Sequence, residues 1–130
     1  MTFGKSSRPV VSGTPKKVVY AGNFAGADGV NPTVLTVDPG ITVTRTGEGV
    51  WAVLLPRPVA GFKAVTVTAS DDDGAFHDVA YTTSGRTITI THRTCTYATI
   101  VSAGPVVQDV VDKVAFIAVV EESDVPGAGV

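Results

Sequence analysis

Apolar and polar residues alternate along most of the chain with the period of two that is typical of β-strands. The segment ITVTRT, residues 41–46, places Ile41 and Val43 on one face and threonines on the other. The segments VWAVLLP, residues 50–56, and VAFIAVV, residues 114–120, are apolar at nearly every position. The sequence therefore predicts strands with one dry face, together with two strands that are apolar on both faces.

Valine, threonine and isoleucine dominate short segments separated by turn residues, as expected for strands. The predicted strands are residues 18–21, 33–37, 41–46, 50–56, 62–70, 79–83, 86–93, 96–102 and 112–122. Glycine, asparagine and proline fill positions 22–32, which are predicted to form a loop. Valines at helical spacing predict at most one helical turn near Val107–Val111. Together the segments predict an all-β fold, an antiparallel β-sandwich or jelly-roll-like barrel of about eight strands.

The two strands with two apolar faces raise the question of what covers the second face. A sheet buried on both sides is ordinary where helices pack on it, but the sequence predicts no helices that could do so. Either loops and the N-terminal arm cover this face, or a second copy of the chain does. We expect a homo-oligomer.

The N-terminal segment is basic and poor in large apolar residues. Its basic residues, which all precede the first acidic residue of the chain, are Lys5, Arg8, Lys16 and Lys17. Such a segment cannot fold alone. We expect an extended basic arm at 1–17, a β-sandwich domain at 18–122 and a flexible C-terminal tail at 123–130. The arm is either a frayed terminus or a segment that becomes ordered on an acidic neighbour.

Composition narrows the possible functions. Charged residues make up 17% of the chain and the net charge is −2, which argues against nucleic acid as a partner. The single cysteine, Cys95, excludes an internal disulfide and a cysteine zinc cluster. The first residues do not have the pattern of a signal peptide, and no segment approaches the ~20 apolar residues of a membrane span. We expect one domain in a cytoplasm-like compartment, without a membrane partner.

Residues that could perform chemistry are few. Asp71–Asp73, with Asp78 nearby, offer the ligand type of Ca²⁺, but adjacent side chains diverge and a polar turn is the better interpretation. His77 and His92 lack the spacing of a metal site. Cys95 lies close to His92, yet no nucleophile elbow surrounds it. The sequence predicts no catalytic residue, no cofactor and no metal site, and hence no enzyme.

Two motifs carry a resemblance to a known class of proteins. Residues 45–51 read Arg-Thr-Gly-x-Gly-x-Trp and lead into a strand that ends at Pro56, and residues 112–118 read Asp-Lys-Val-x-Phe-x-Ala. With the strands between them, this pattern resembles small β-sandwich virion proteins of tailed bacteriophages. The similarity spans residues 41–120, leaves the arm outside, and departs from the pattern at PVVQDVV, residues 105–111.

The resemblance implies a structural protein of the virion head. Such a capsid decoration or cement protein binds the major capsid protein on the head surface after assembly in the host cytoplasm, commonly as a homotrimer. In that case Lys5, Arg8, Lys16 and Lys17 would contact the shell. The core or the subunit interface would be held by Trp51, Leu55, Phe62 and Phe116.

Two other classes of function remain open. A head or tail fibre or spike component that binds a cell-surface glycan would need exposed aromatic and acidic residues. Its candidates are Phe24, His77, Tyr81 and Asp71–Asp73. A small enzyme or lyase would need a histidine or tyrosine facing a basic group in a cleft, and no paired motif of this kind is present in the sequence.

Overall fold

The protein is described by a computed structural model that covers residues 16–70, 76–95, 104, 106–109 and 113–122. For Lys16, Val34 and Cys95 only the backbone is described. Within these residues the chain forms two antiparallel sheets and no helix. The predicted all-β fold is confirmed, and the arrangement is a β-sandwich.

The first sheet, called sheet I, joins strands from both ends of the described chain. In spatial order it contains β2 (Val30–Val37), β1 (Lys16–Ala27), β9 (Lys113–Glu122) and β5 (Val59–Ser70). The second sheet, sheet II, contains β3 (Thr42–Gly47), β4 (Val50–Leu54), β7 (Thr87–Cys95) and β6 (Phe76–Ser84). A short strand, β8 (Val106–Val107), pairs with β7 at Arg93 and Thr94, beyond the end of β4.

The core lies between the two sheets and is built from their inward-facing residues. Its largest fully buried apolar side chains are Trp51, Phe24, Phe116, Leu55, Ile88 and Ile90. The rings of Trp51 and Phe24 meet edge to face, with centroids 5.4 Å apart, and so connect sheet II to sheet I. Such aromatic pairs add about 1 kcal/mol to the stabilisation that comes from burial alone.

The alternation in residues 41–46 is confirmed. Ile41 and Val43 are buried, and the three threonines of this segment are exposed. The two strands that are apolar on both faces behave differently from it. On β4 and β9, one face is fully buried, whereas Leu54 and Ile117 on the opposite faces remain exposed.

The predicted loop at 22–32 was wrong. β1 continues to Ala27, a tight turn follows at Asp28–Gly29, and β2 begins at Val30. The ladder between β1 and β9 runs as far as Phe24, whose side chain is buried, so tertiary pairing overrides the local preference for a turn. β2 is an edge strand, where Pro32 is tolerated.

Where at most one helical turn was predicted, near Val107–Val111, the described residues 107–109 are not helical. Val106 and Val107 form β8, and Gln108 donates its backbone N–H to the carbonyl of His92 at 3.2 Å. β-branched residues favour such extended pairing over a helix. Of the remaining predicted segments, residues 71–75, 96–102 and 110–111 lie outside the described residues.

The boundary of the predicted arm also changes. Lys16 and Lys17 belong to β1, because the backbone there pairs with Glu122 and Glu121 of β9. Residues 1–15 and 123–130 lie outside the described residues, and the described part of the sandwich begins at Lys16.

Candidate functional site

The outward face of sheet I carries an apolar patch on its two central strands and on β5. Register places Val19 opposite Val119, and Ala21 opposite Ile117. We call this group the sheet I patch; its members are Val19, Ala21, Ala64, Ala115, Ile117 and Val119. Val19 is 58% exposed and Ile117 is 52% exposed. The described chain therefore leaves this face open to solvent, and exposed apolar patches on a sheet mark interaction surfaces.

Charged residues border one end of the sheet I patch, and a depression borders one side. Glu121 lies between Lys17 and Lys63, and its carboxylate is 3.5 Å from each ammonium group. An open depression of about 360 Å³ lies where β2 meets β1 and β9. It is lined by residues that include Gly22, Val37 and Ile117. A flat apolar centre with a polar rim is the usual composition of a protein–protein contact surface.

A second cluster ties three turns together at one end of the sandwich. Asp109, two residues after β8, accepts the backbone N–H groups of Gly49 at 2.8 Å and of Gly29 at 3.1 Å. It also forms an ion pair with Arg45 at 3.1 Å, and Arg45 contacts Glu48 at 3.2 Å. The Asp109 side chain is only 3% exposed. One carboxylate thus joins the β1–β2 turn, the β3–β4 turn and the segment after β8.

Charge interactions in this cluster stabilise the fold, and we call it the Asp109 lock. It consists of the Asp109 carboxylate, Arg45, Glu48 and the backbone N–H groups of Gly49 and Gly29. Burial raises the pKa of Asp109, but hydrogen bonds from Arg45 and from the backbone of Gly49 and Gly29 outweigh it and hold that pKa below its usual range. Asp28, Glu48 and Asp109 each place one carboxylate oxygen within 4.8 Å of the other two. Three carboxylate oxygens at this spacing are of the type and separation that can hold a metal ion. Arg45 already supplies the positive charge there, because both Asp109 oxygens accept from its guanidinium. No local sequence pattern reveals this cluster, because Asp109 lies 60 residues from Gly49 along the chain.

Glycine is required at position 49 for two reasons, which three substitutions can separate. Gly49 has a φ of 66°, and a Cβ there would lie 2.7 Å from the backbone nitrogen of Gln108. We expect Gly49→Ala to lower the free energy of unfolding by about 2–3 kcal/mol, measured by urea denaturation. Gly29→Ala, with a φ of 75° but open space around the Cβ, should cost about 1 kcal/mol.

The control for this series is Gly47→Ala, since nothing lies within 4 Å of a Cβ at Gly47 and its φ is not positive. We expect a change within about 0.5 kcal/mol. Equal losses for the alanine variants at Gly29 and Gly49 would show that contact with Gln108 does not matter.

The two histidines of the chain contact each other. The rings of His77 and His92 meet edge to edge and are nearly coplanar, with an angle of 19° between their planes, centroids 5.1 Å apart, and Nδ1 of His77 2.9 Å from Nε2 of His92. Nδ1 of His92 lies 2.5 Å from the carbonyl oxygen of Gln108, so this nitrogen donates. In neutral His92, Nε2 then accepts from His77. The pair links β6, β7 and the segment after β8.

A buried tyrosine–carboxylate pair closes the other end of the sandwich. Tyr20 on β1 donates its hydroxyl to the Glu122 carboxylate, which also lies 3.5 Å from Arg57. Burial, and then the hydrogen bond to Glu122, raises the pKa of Tyr20 to about 12. The buried Glu122 is thus held at the end of β9 by groups from β1 and from the turn before β5.

The structure divides the predicted site residues between several places. Trp51, Leu55 and Phe116 are buried in the core, and Phe62 packs against it, half-buried. Lys17 lies on β1 beside Glu121. Lys5 and Arg8 lie outside the described residues, as does the side chain of Lys16.

The described candidate glycan-binding residues do not all lie on one exposed surface. Phe24 was wrongly assigned to it, because its side chain is buried in the core against Trp51. Tyr81 is exposed on β6, and His77 contacts His92 through a ring nitrogen. Asp71–Asp73 lie outside the described residues, and Asp78 forms an ion pair with Arg93. Cys95 ends β7, and its side chain is not described.

Comparison with known proteins gives no relative. No protein-family model, no curated protein and no solved structure matches this chain. Among the described residues there is no helix long and apolar enough to cross a membrane.

Proposed function

We propose that this chain is a structural virion protein of a tailed bacteriophage, a capsid decoration or cement protein that binds and stabilises the head shell. Its partners are the major capsid protein and further copies of itself, on the surface of the head. The observation that carries the proposal is the exposed sheet I patch on a sandwich whose core is filled by inward-facing side chains of both sheets. The resemblance of the motifs at residues 45–51 and 112–118 to small virion proteins supports this class of function.

The two motifs have structural roles that fit a rigid scaffold. Arg45 and Gly49 belong to the lock around Asp109, and Trp51 fills the core. Lys113–Glu122 forms β9, the central strand that carries Ile117 and Val119 on its outward face. A motif that builds the scaffold thus also presents the apolar surface.

Stabilisation of a shell by such a protein follows from linkage. A protein that binds the assembled lattice and not the free capsid subunits lowers the free energy of the lattice by its own binding free energy. The sheet I patch supplies apolar area for such a contact, and Lys17, Glu121 and Lys63 supply a polar rim that fixes orientation.

Shell binding is expected to depend on Ile117. Ile117→Asp places a carboxylate at the centre of the sheet I patch and should weaken co-sedimentation with expanded shells of the encoding phage at least about tenfold. The matched control is Thr44→Asp, at an exposed position on sheet II, which should bind as the unchanged chain does. Urea denaturation of both variants checks that the sandwich remains folded.

Two results would contradict the proposal at different points. If Ile117→Asp binds shells as tightly as the unchanged chain, the sheet I patch is not the contact surface. If the unchanged chain neither co-sediments with shells nor is labelled on virions by an antibody raised against it, the decoration function is wrong, and binding to a glycan array becomes the next measurement.

A further inference from the structure

One edge strand of the sandwich lacks the features that normally prevent pairing with another chain. β6 is an outer strand of sheet II, and its register with β7 is continuous from Phe76 to Ser84. From Val79 to Ser84 it contains no charged residue, no proline and no glycine, and Ala80–Ser84 are all exposed. An open and regular edge of this kind, whose one charged side chain, Asp78, lies near its beginning and pairs with Arg93, is a template for another strand.

The other outer strands are protected, β8 by its length of only two residues. β2 contains Pro32, and β3 carries Arg45 and a register shift between Arg45 and Gly47. β5 has two register shifts and carries Lys63. Bulges, proline and charge are the usual means by which proteins block edge pairing. β6 therefore differs from every other edge of the described sandwich.

Register identifies the backbone groups of β6 that face outward. His92 donates its N–H to Gly49 and accepts from Gln108, so its backbone points away from β6. In an antiparallel ladder the direction alternates, so Thr91 points towards β6 and bonds its partner Ala80. The two-residue turn after Ser84 agrees with this assignment. The residues that flank such a turn, Ser84 and Thr87, bond each other, so Ser84 points towards β7 and Thr83 points away from it. The N–H and C=O groups of Val79, Tyr81 and Thr83 consequently point to the open edge.

These three residues are evenly spaced about Tyr81, so the same edge of a second copy can pair with it about a two-fold axis. We propose that β6 pairs with β6 of a second copy of this chain, antiparallel, across a two-fold axis at Tyr81. Tyr81 then lies opposite Tyr81 of the second copy, and Val79 lies opposite Thr83 of that copy. Donors meet acceptors without any offset, and the three pairs form about six backbone hydrogen bonds.

The side chains are compatible with this register. Asp78 falls opposite Ser84 and Ala80 opposite Thr82, so no charge meets a like charge. Tyr81 is 44% exposed in the single chain, and pairing brings the two tyrosine rings together as a cross-strand aromatic pair. The dimer joins the four-strand path β3-β4-β7-β6 of each copy into one continuous sheet and leaves both sheet I patches exposed.

This inference deepens the homo-oligomer part of the proposed function, and its test uses the purified chain without capsids, so either proposal can fail alone. The unchanged chain is expected to reach twice the 13.3 kDa of one chain by light scattering as its concentration rises. Tyr81→Lys and Tyr81→Glu each place like charges opposite each other and should weaken the dimer at least about tenfold. An equimolar mixture of the two variants should restore it.

The control and the contradicting outcomes are specific to β6. Thr44→Lys, at an exposed position on the β3 edge, should leave the dimer unchanged. A monomer at all concentrations, a trimer, or a dimer that persists in both charged variants would overturn the proposal. If the variants do not fold, amide hydrogen exchange of the unchanged chain decides. Protection of the Tyr81 and Thr83 amides must rise with protein concentration while that of β3 does not.

Discussion

Replacing Asp109 with Ala is expected to lower the free energy of unfolding by about 3 kcal/mol, measured by urea denaturation at one protein concentration. The side chain is almost fully buried and accepts two backbone N–H groups, from Gly49 and Gly29. Alanine removes the acceptor and leaves the N–H of buried Gly49 without a partner, whereas the N–H of exposed Gly29 can turn to water. Three turns lose their common anchor at the same time.

The variant Asp109→Asn separates charge from shape. It keeps an acceptor oxygen and should cost about half as much as alanine. The control is Asp78→Ala, which removes an exposed ion pair with Arg93 and should change stability by no more than about 0.5 kcal/mol. Equal effects of the alanine variants at Asp109 and Asp78 would show that the lock contributes nothing beyond a surface ion pair.

The same residue predicts a dependence on pH. The folded state holds the pKa of Asp109 below its usual range, so the ionised carboxylate stabilises the fold at pH values above about 4, where the unfolded carboxyl is also ionised. This contribution is lost as the pH falls through the folded-state pKa. The stability difference between the unchanged chain and Asp109→Asn should therefore be constant from pH 7 to about pH 5 and shrink below about pH 4.

Period-two patterns predicted the strands well where one face is dry. Ile41 and Val43 are buried and Thr42 and Thr44 are exposed, because alternation along a strand directly encodes which side faces the core. The loop predicted from Gly22 failed for an instructive reason. A Cβ at Gly22 would lie 2.6 Å from Cγ1 of Val37, so this glycine serves close packing between strands and does not make a turn.

The candidate surfaces could be predicted only in part. Ile117 on an apolar second face was a sequence signal, but its neighbours Val19 and Ala64 reach the same surface through β1 and β5, whose register no local pattern reveals. The cluster around Asp109 was even harder to predict from the sequence. Arg45 and Gly49 were recognisable as a turn motif, whereas Asp109 lies in a segment whose valine spacing also fits a helix.

Trp51→Ala is expected to lower the free energy of unfolding by about 4 kcal/mol, measured by urea denaturation. Trp51 has no exposed surface, and its ring packs edge to face on Phe24 and beside His92. Alanine leaves a cavity between the two sheets, and Phe24 loses its aromatic partner. The surrounding β-ladders hold the backbone in place, so the cavity cannot collapse fully.

The variant Trp51→Phe distinguishes packing from hydrogen bonding. The indole Nε1 is buried and has no hydrogen-bond partner among the described residues, so phenylalanine removes ring volume without breaking a bond. We expect a loss of about 1–2 kcal/mol, well below that of alanine, because the edge-to-face contact with Phe24 can persist. If phenylalanine costs as much as alanine, the indole nitrogen has an essential role. If alanine costs less than about 1 kcal/mol, Trp51 does not hold the two sheets together.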